Sequence, residues 1–200
     1  MLSPSVVLFD LGNVLVDIDV NAFWCSIGMN TRAEQEPFFD GYEILTRQYE
    51  TGLISTKAFL NNLYTLFAKK FTREQLQLAF ERVIVQPIDG MVDIVKELAK
   101  TRRTALVSNT NELHYTVSYA RLESLRTLHT QYLSYRLNVM KPDAGFYTSI
   151  LHDLRMNPSE MIFIDDLEAN IEGARLAGMQ TIRFEGVEQL KRKLNRLGIL

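Results

Sequence analysis

One cysteine, Cys25, in 200 residues leaves no partner for an internal disulfide. Cys25 follows Trp24 in an amphipathic stretch, where the expected role is a small core side chain rather than a nucleophile. No excess of one charge sign is present: 22 basic against 24 acidic residues give a formal net charge of -2. That balance lacks the basic surface that broad nucleic-acid binding calls for, so no nucleic-acid partner is expected, although a local anion site remains compatible with it. No apolar run approaches the ~18 residues of a membrane span, so no membrane partner is expected either. The first apolar run has no basic segment ahead of it and is cut short by Asp10, unlike a secretory signal. A cytoplasmic enzyme is the expectation. Internal repeats and low-complexity tracts are also lacking, and the three histidines, His114, His129 and His152, show no metal-ligand spacing.

What remains is the composition of a globular protein, with 46% hydrophobic and 23% charged residues. Its organising stretch is Val6-Val7-Leu8-Phe9-Asp10-Leu11-Gly12-Asn13. A short apolar run bounded by a turn signal fits a strand buried on both faces. Asp10 then stands at the carboxyl end, where open α/β sheets place their ligands. The competing role for Asp10 is a helix N-cap. Residues 14–19 read as a second extended run. From about Asn21 to Phe80 the pattern is helical, with Ser55 and Thr72 as N-caps and no convincing strand. After the break at Gln86-Pro87-Ile88-Asp89-Gly90, strand and helix alternate: strands at Thr104–Val107, Tyr132–Tyr135, Met161–Ile164 and Thr181–Phe184, with helical stripes between them. Alternation of this kind implies an α/β, doubly wound parallel sheet. We therefore expect a core from 1–16 and 87–200, and a small inserted α-helical domain over 17–86. The basic helix near Glu188–Leu197 reads as a solvated face.

Three strands end in polar groups, namely Asp10, Ser108-Asn109 and Asp165-Asp166, and Lys141-Pro142 lies in a connection. A parallel sheet brings such strand ends to one edge. The set suits phosphoryl transfer. A carboxylate attacks phosphorus and forms an aspartyl phosphate. Hard oxygen ligands such as Asp165 and Asp166 suit Mg²⁺. A serine hydroxyl and backbone N–H groups at a helix N-terminus donate to phosphate oxygens, and a lysine offsets the charge.

Phe9-Asp10-Leu11-Gly12-Asn13-Val14, Val107-Ser108-Asn109-Thr110-Asn111, Met140-Lys141-Pro142 and Phe163-Ile164-Asp165-Asp166 resemble, in this order, the four motifs of the haloacid dehalogenase-like hydrolases. The resemblance covers essentially the whole chain, the insertion being similar to that family's helical cap on a Rossmann-like core. It is nearest to a bacterial subgroup that includes alpha-D-glucose-1-phosphate phosphatase, through Asp-Leu-Gly-Asn-Val and through Ser-Asn-Thr-Asn followed by His114. It implies Asp10 as nucleophile, Ser108 and Asn109 as phosphoryl-binding residues, and Lys141 in support. It also implies Mg²⁺ held by Asp10, the Gly12 carbonyl and Asp166, with Asp165 either a ligand or an orienting group. The implied activity is a phosphatase of a small phosphorylated metabolite, a sugar phosphate in the first instance.

One position departs from the family. Where most phosphatases of this kind carry a second Asp as general acid, the chain has Gly12, which keeps a carbonyl and cannot move a proton. Asp17, Asp19 and His114 are the substitutes to consider. The turn Glu50-Thr51-Gly52 is the expected cap element reaching toward substrate, with Trp24, Arg32, Arg47 and Tyr49 as nearby candidates for sugar contacts or, alternatively, cap core and surface. Two further readings stand beside the phosphatase. One is a metal-independent 2-haloacid dehalogenase, against which the Asp165-Asp166 pair argues. The other is a catalytically weak binding or regulatory module, supported by Gly12 alone.

Overall fold

The computed structural model describes residues 4–200. Among the described residues seven strands run in chain order: β1 (Val6–Phe9), β2 (Val16–Ile18), β3 (Ile84–Pro87), β4 (Arg103–Ser108), β5 (Thr130–Leu133), β6 (Met161–Asp165) and β7 (Gln180–Arg183). The α-helices are α1 (Asn21–Ser26), α2 (Arg32–Gln35), α3 (Phe39–Glu50), α4 (Thr56–Leu66), α5 (Arg73–Glu81), α6 (Met91–Thr101), α7 (Glu112–Arg121), α8 (Ser134–Leu137), α9 (Ala144–Leu154), α10 (Glu168–Leu176) and α11 (Val187–Arg196).

Five strands form one parallel sheet in the order β5-β4-β1-β6-β7. The four side chains of β1 are fully buried, and the period of two sends them to opposite faces. Val7 and Phe9 pack with Met91, Val95, Leu190 and Leu194 of α6 and α11. Val6 and Leu8 pack with Phe146, Ile150, Ile171 and Ala174 of α9 and α10. Helices thus cover both faces, and the chain is an α/β protein with a helical insertion. This is why β1 reads as an unbroken apolar run rather than an alternating one. No helix among the described residues is long and apolar enough to cross a membrane.

The insertion leaves the core through β2 and returns through β3, which pair antiparallel with Val16 opposite Pro87 and Ile18 opposite Ile84. The strand β3 is absent from the sequence reading because Pro87 lacks the N–H that a ladder uses. A two-stranded ribbon tolerates it at the strand end. Between these strands, α1, α3, α4 and α5 enclose Phe23, Trp24, Tyr42, Tyr49, Phe59, Phe67 and Phe80. Ser55 caps α4 by accepting from the Ala58 N–H, and Thr72 and Gln75 form a capping box on α5.

Several alternatives left open by the sequence are decided here, and some expectations change. Trp24 is buried among Phe39, Tyr42 and Phe67, and Tyr49 stacks on Phe59 at 4.5 Å, so both belong to the core of the insertion. Cys25 is exposed, since the six-residue α1 turns Phe23 and Trp24 inward and Cys25 away. The strand foreseen at Tyr132–Tyr135 is Thr130–Leu133, and Ser134 begins α8. The element after Asp10 is the strand β2, not a helix, so Asp10 caps nothing.

Candidate active site

The sheet register assembles the site. Phe9 lies between Leu106 of β4 and Ile164 of β6, so Asp10 emerges level with Val107 and Asp165, one residue below Ser108 and Asp166. The Asp10 N–H continues the ladder by donating to the Ile164 carbonyl at 2.9 Å.

Lys141 enters from the connection before α9 and is almost wholly buried. Its ammonium donates to Asp10 Oδ1 at 2.8 Å, Asp165 Oδ2 at 2.7 Å and the Val107 carbonyl at 2.9 Å. Three donors meet three acceptors, which fixes the group completely. Burial pulls the Lys141 pKa down, but the two carboxylates reverse this and hold it above the ordinary lysine value. The backbone carrying Lys141 is clamped by Asn109. Its amide nitrogen donates to the Lys141 carbonyl and its amide oxygen accepts from the Lys141 N–H, both at 2.8 Å. The Asn109 side chain is thus committed to positioning Lys141.

The adjacent aspartates differ sharply. Asp165 is fully buried, and its oxygens are occupied by Lys141, the Leu167 N–H at 2.8 Å and Asn170 Nδ2 at 3.0 Å. It orients Lys141, and four hydrogen bonds already engage its two oxygens. Asp166 is half-buried, and Asn13 Nδ2 donates to it at 3.4 Å. Burial, with Asp165 beside it, raises its pKa. Asp10 is also pushed up, to about 7, by burial and by Asp165, with Lys141 opposing. Carboxylate oxygens of Asp10, Asp165 and Asp166 lie within 4.8 Å of one another. Hard, anionic oxygens at that spacing suit a small divalent cation, and a cation beside Asp10 favours its ionised form.

Gly12 is bridged to Val16, and a Cβ added at Gly12 would lie 2.5 Å from Ile18 Cδ1. The space that a side chain would need at this position is filled by an isoleucine methyl group. Ser108 is buried, with its hydroxyl 3.3 Å from the Asn109 carbonyl. Asn111 caps α7 by accepting from the His114 N–H at 3.0 Å.

These residues share one cavity of about 250 Å³ between core and insertion. Asp10, Gly12, Ser108, Asn109, Lys141 and Asp166 line it from the core, and Tyr42, Thr46 and Glu50 of α3 line it from the insertion. Asp17 and Asp19 do not line it. Asp17 accepts from Gln86, and Asp19 accepts from the Asn21 N–H at the start of α1. His114 does line it but is tied down. Its Nε2 donates to the Phe80 carbonyl at 2.8 Å, which makes Nδ1 the acceptor facing Asn111 at 3.1 Å, and its ring stacks on Phe80. Burial drives its pKa down to about 4. The Glu50-Thr51-Gly52 turn docks onto the core rather than projecting into the cavity through its glycine. Gly52 has φ +70°, a Cβ there would sit 2.2 Å from the Tyr135 carbonyl oxygen, and Asn138 Nδ2 donates to the Thr51 carbonyl at 3.0 Å. Asn13, which steadies Asp166 from a left-handed conformation (φ 53°), was visible in the sequence only as the residue after Gly12.

Known proteins are similar to most of this chain. D-ribitol-5-phosphate phosphatase of Bacteroides thetaiotaomicron is 27% identical over 94% of this chain and 95% of its own. Flavin mononucleotide hydrolase 1 of Arabidopsis thaliana is 27% identical over 76% of this chain and 61% of its own. The crystal structure of the HAD-family enzyme BT-2542 of Bacteroides thetaiotaomicron superposes with a TM-score of 0.85 at 25% identity, covering 96% of this chain and 98% of that one. A further structure of that enzyme, at TM-score 0.80 and 25% identity over 92% and 95% of the two chains, is a complex with magnesium and inorganic phosphate. The family model for haloacid dehalogenase-like hydrolases matches residues 4–178, taking in every strand that carries a site residue, and the chain belongs to that family.

Proposed function

We propose that the protein is a Mg²⁺-dependent phosphatase of a small phosphorylated metabolite, a sugar or polyol phosphate, acting through an aspartyl phosphate on Asp10. The observation that carries this reading is the division of labour among three carboxylates. Asp165 is saturated and holds Lys141, whereas Asp10 and Asp166 keep oxygens free at the base of a small cavity. Asp10, Asp166 and the Gly12 carbonyl are the groups that would hold Mg²⁺, which when bound neutralises the phosphate and screens it from the nucleophile. Relatives that act on ribitol 5-phosphate and flavin mononucleotide, and the related structure containing magnesium and inorganic phosphate, support the substrate class and the metal. Glucose 1-phosphate lies within that class and is the narrower reading.

The chain's own residues then divide the work. The Lys141 ammonium, fixed by Asp165 and the Val107 carbonyl, holds Asp10 Oδ1 in place and offsets charge as the phosphoryl group arrives. Asp10 forms the O–P bond as the ester oxygen departs, and water then cleaves the aspartyl phosphate. Ser108 supplies a hydroxyl donor to a phosphoryl oxygen, and Asn109 acts by positioning Lys141. The helical segment 17–86 serves as the cap. A dehalogenase would leave Asp166 without a role, and a mere binding module would have no use for an immobilised lysine beside a nucleophile.

A panel of phosphate esters, assayed with Mg²⁺ and with EDTA, beside Asp10→Asn, tests the reading. Phosphate release is expected from the wild type with Mg²⁺ only. Release that persists in Asp10→Asn or without metal refutes the mechanism, and silence across the panel favours the binding module.

A further inference from the structure

We propose that Glu50, at the C-terminal end of α3 in the insertion, is the general acid and base that Gly12 cannot be. The inference rests on the phosphatase reading and adds a residue to it. A phosphomonoester of an ordinary alcohol needs a proton on its departing oxygen, and the site described so far offers none. Of the titratable side chains lining the cavity, Asp10 and Asp166 face the metal position and Lys141 has all three donors engaged. His114 presents no mobile proton, because Nε2–H is committed to the Phe80 carbonyl and Nδ1 faces Asn111. Tyr42 is buried, and burial raises its hydroxyl far above neutrality. Glu50 remains. It lines the same cavity as Asp10, from the opposite domain.

Its environment suits the task. Burial raises the Glu50 carboxyl to about 7, with Arg47, one helical turn earlier, opposing the shift. The remaining charged or titratable groups around the cavity are Tyr42, His114, Asp10, Asp166 and Lys141, already accounted for. An acid whose pKa lies near the working pH is both protonated and able to give its proton up. The turn that follows also fixes its position. Gly52 lies against the Tyr135 carbonyl and Asn138 donates to the Thr51 carbonyl, so the end of α3 is pinned to the core within two residues of Glu50.

The step balances. As the Asp10 oxygen–phosphorus bond forms and the ester P–O bond breaks, the Glu50 carboxyl gives its proton to the departing oxygen, which leaves as an alcohol. The resulting carboxylate takes a proton from the water that attacks the aspartyl phosphate. Inorganic phosphate leaves, Asp10 returns as a carboxylate, and Glu50 is again protonated.

The test compares Glu50→Gln with wild type, in Mg²⁺, on ethyl phosphate and p-nitrophenyl phosphate. Ethyl phosphate has a poor leaving group and no hydroxyl for Glu50 to bind, whereas nitrophenolate departs without help. Because kcat/KM reads the step in which the leaving group departs, Glu50→Gln is expected to lower it for ethyl phosphate by ~10²–10⁴-fold, and by far less for the aryl ester. The ratio of the two then falls at least ~30-fold, the floor set by a ~10²-fold loss on the alkyl ester against a loss of about threefold on the aryl ester. In the wild type, kcat/KM for ethyl phosphate falls above pH about 7, and Glu50→Gln loses that limb. Equal losses on both esters, no loss on either, or an alkaline limb that survives in Glu50→Gln overturns the proposal. Aryl turnover by the variant shows that it is folded. Wild type inactive on both esters would sink the phosphatase reading itself, which is a distinct result.

Discussion

Gly12→Ala has an outcome that depends on one methyl group. Gly12 does not have a positive φ, so alanine there gains the usual ~0.4–1 kcal/mol from a less flexible unfolded chain. Against that gain, the new Cβ meets Ile18 Cδ1 at 2.5 Å, whereas carbon atoms pack at about 3.5–4.0 Å. An overlap of roughly 1 Å forces Ile18 off its rotamer or moves β2, at about 1–3 kcal/mol. The net expectation is a loss of about 1–2 kcal/mol. Ile18→Val deletes Cδ1, and the next atom, Cγ1, stands at an ordinary 3.4 Å. Ile18→Val alone costs about 0.5–1 kcal/mol at this half-buried position. In that background Gly12→Ala should become neutral or stabilising, a coupling of about 1–2 kcal/mol. Urea unfolding of the four proteins in the cycle measures it. Additive costs, or a stabilising Gly12→Ala in the wild type, would show that Ile18 does not fill this space. The same cycle prepares a second experiment: Gly12→Asp is expected to restore ethyl phosphate turnover to Glu50→Gln only when combined with Ile18→Val.

Lys141→Met leaves Asp10 and Asp165 facing each other in a buried site without their cation, so a loss of about 3–5 kcal/mol by denaturant unfolding is expected together with loss of turnover. A stability within 1 kcal/mol of wild type would show that the triad is looser than its distances imply. His114 contributes a pH dependence. Its folded pKa, about 4, lies below the ordinary value of 6.5, so between these values the unfolded chain binds a proton that the folded one refuses. Stability therefore rises with pH from about 4 to 6.5, by up to about 3 kcal/mol, and is fully present above that window. His114→Gln should flatten this segment of the urea midpoint–pH curve; an unchanged slope would place the acid sensitivity elsewhere.

The strand ends were legible because each buried strand is an apolar run terminated by polar residues, and a parallel sheet leaves those ends one place to go. Asp10, Ser108 and the Asp165-Asp166 pair follow from that logic, whereas Lys141 lies in a connection and stood out by its charge and by the family resemblance. Pattern could not reveal which neighbour does what. Asp165 and Asp166 are identical in sequence, and only the pleat, which turns one toward Lys141 and Asn170 and the other toward the cavity, separates their roles. The Asn109 side chain reads as a free phosphate donor until its amide is seen closing on Lys141. Glu50 was within the turn singled out from the sequence, yet a glutamate ending an amphipathic helix is ordinarily solvated. Its turn docks against Asn138 and Tyr135, some 85 residues away, a pairing no local pattern reveals. Cys25 misled for the opposite reason, since a helix of six residues is too short for periodicity to say which side faces in.

The pairing of β2 with β3 has a consequence for how this protein can be rebuilt. With Val16 opposite Pro87, the two chain crossings lie one strand spacing apart, about 4.8 Å. From the core's side, everything between them amounts to a wide hairpin loop. A foreign folded unit whose own ends lie that close can be spliced in at this ribbon without disturbing the sheet. If Glu50 supplies the proton, such a graft transfers leaving-group chemistry along with substrate choice, whereas Asp10, Lys141 and Asp166 stay behind as an interchangeable base.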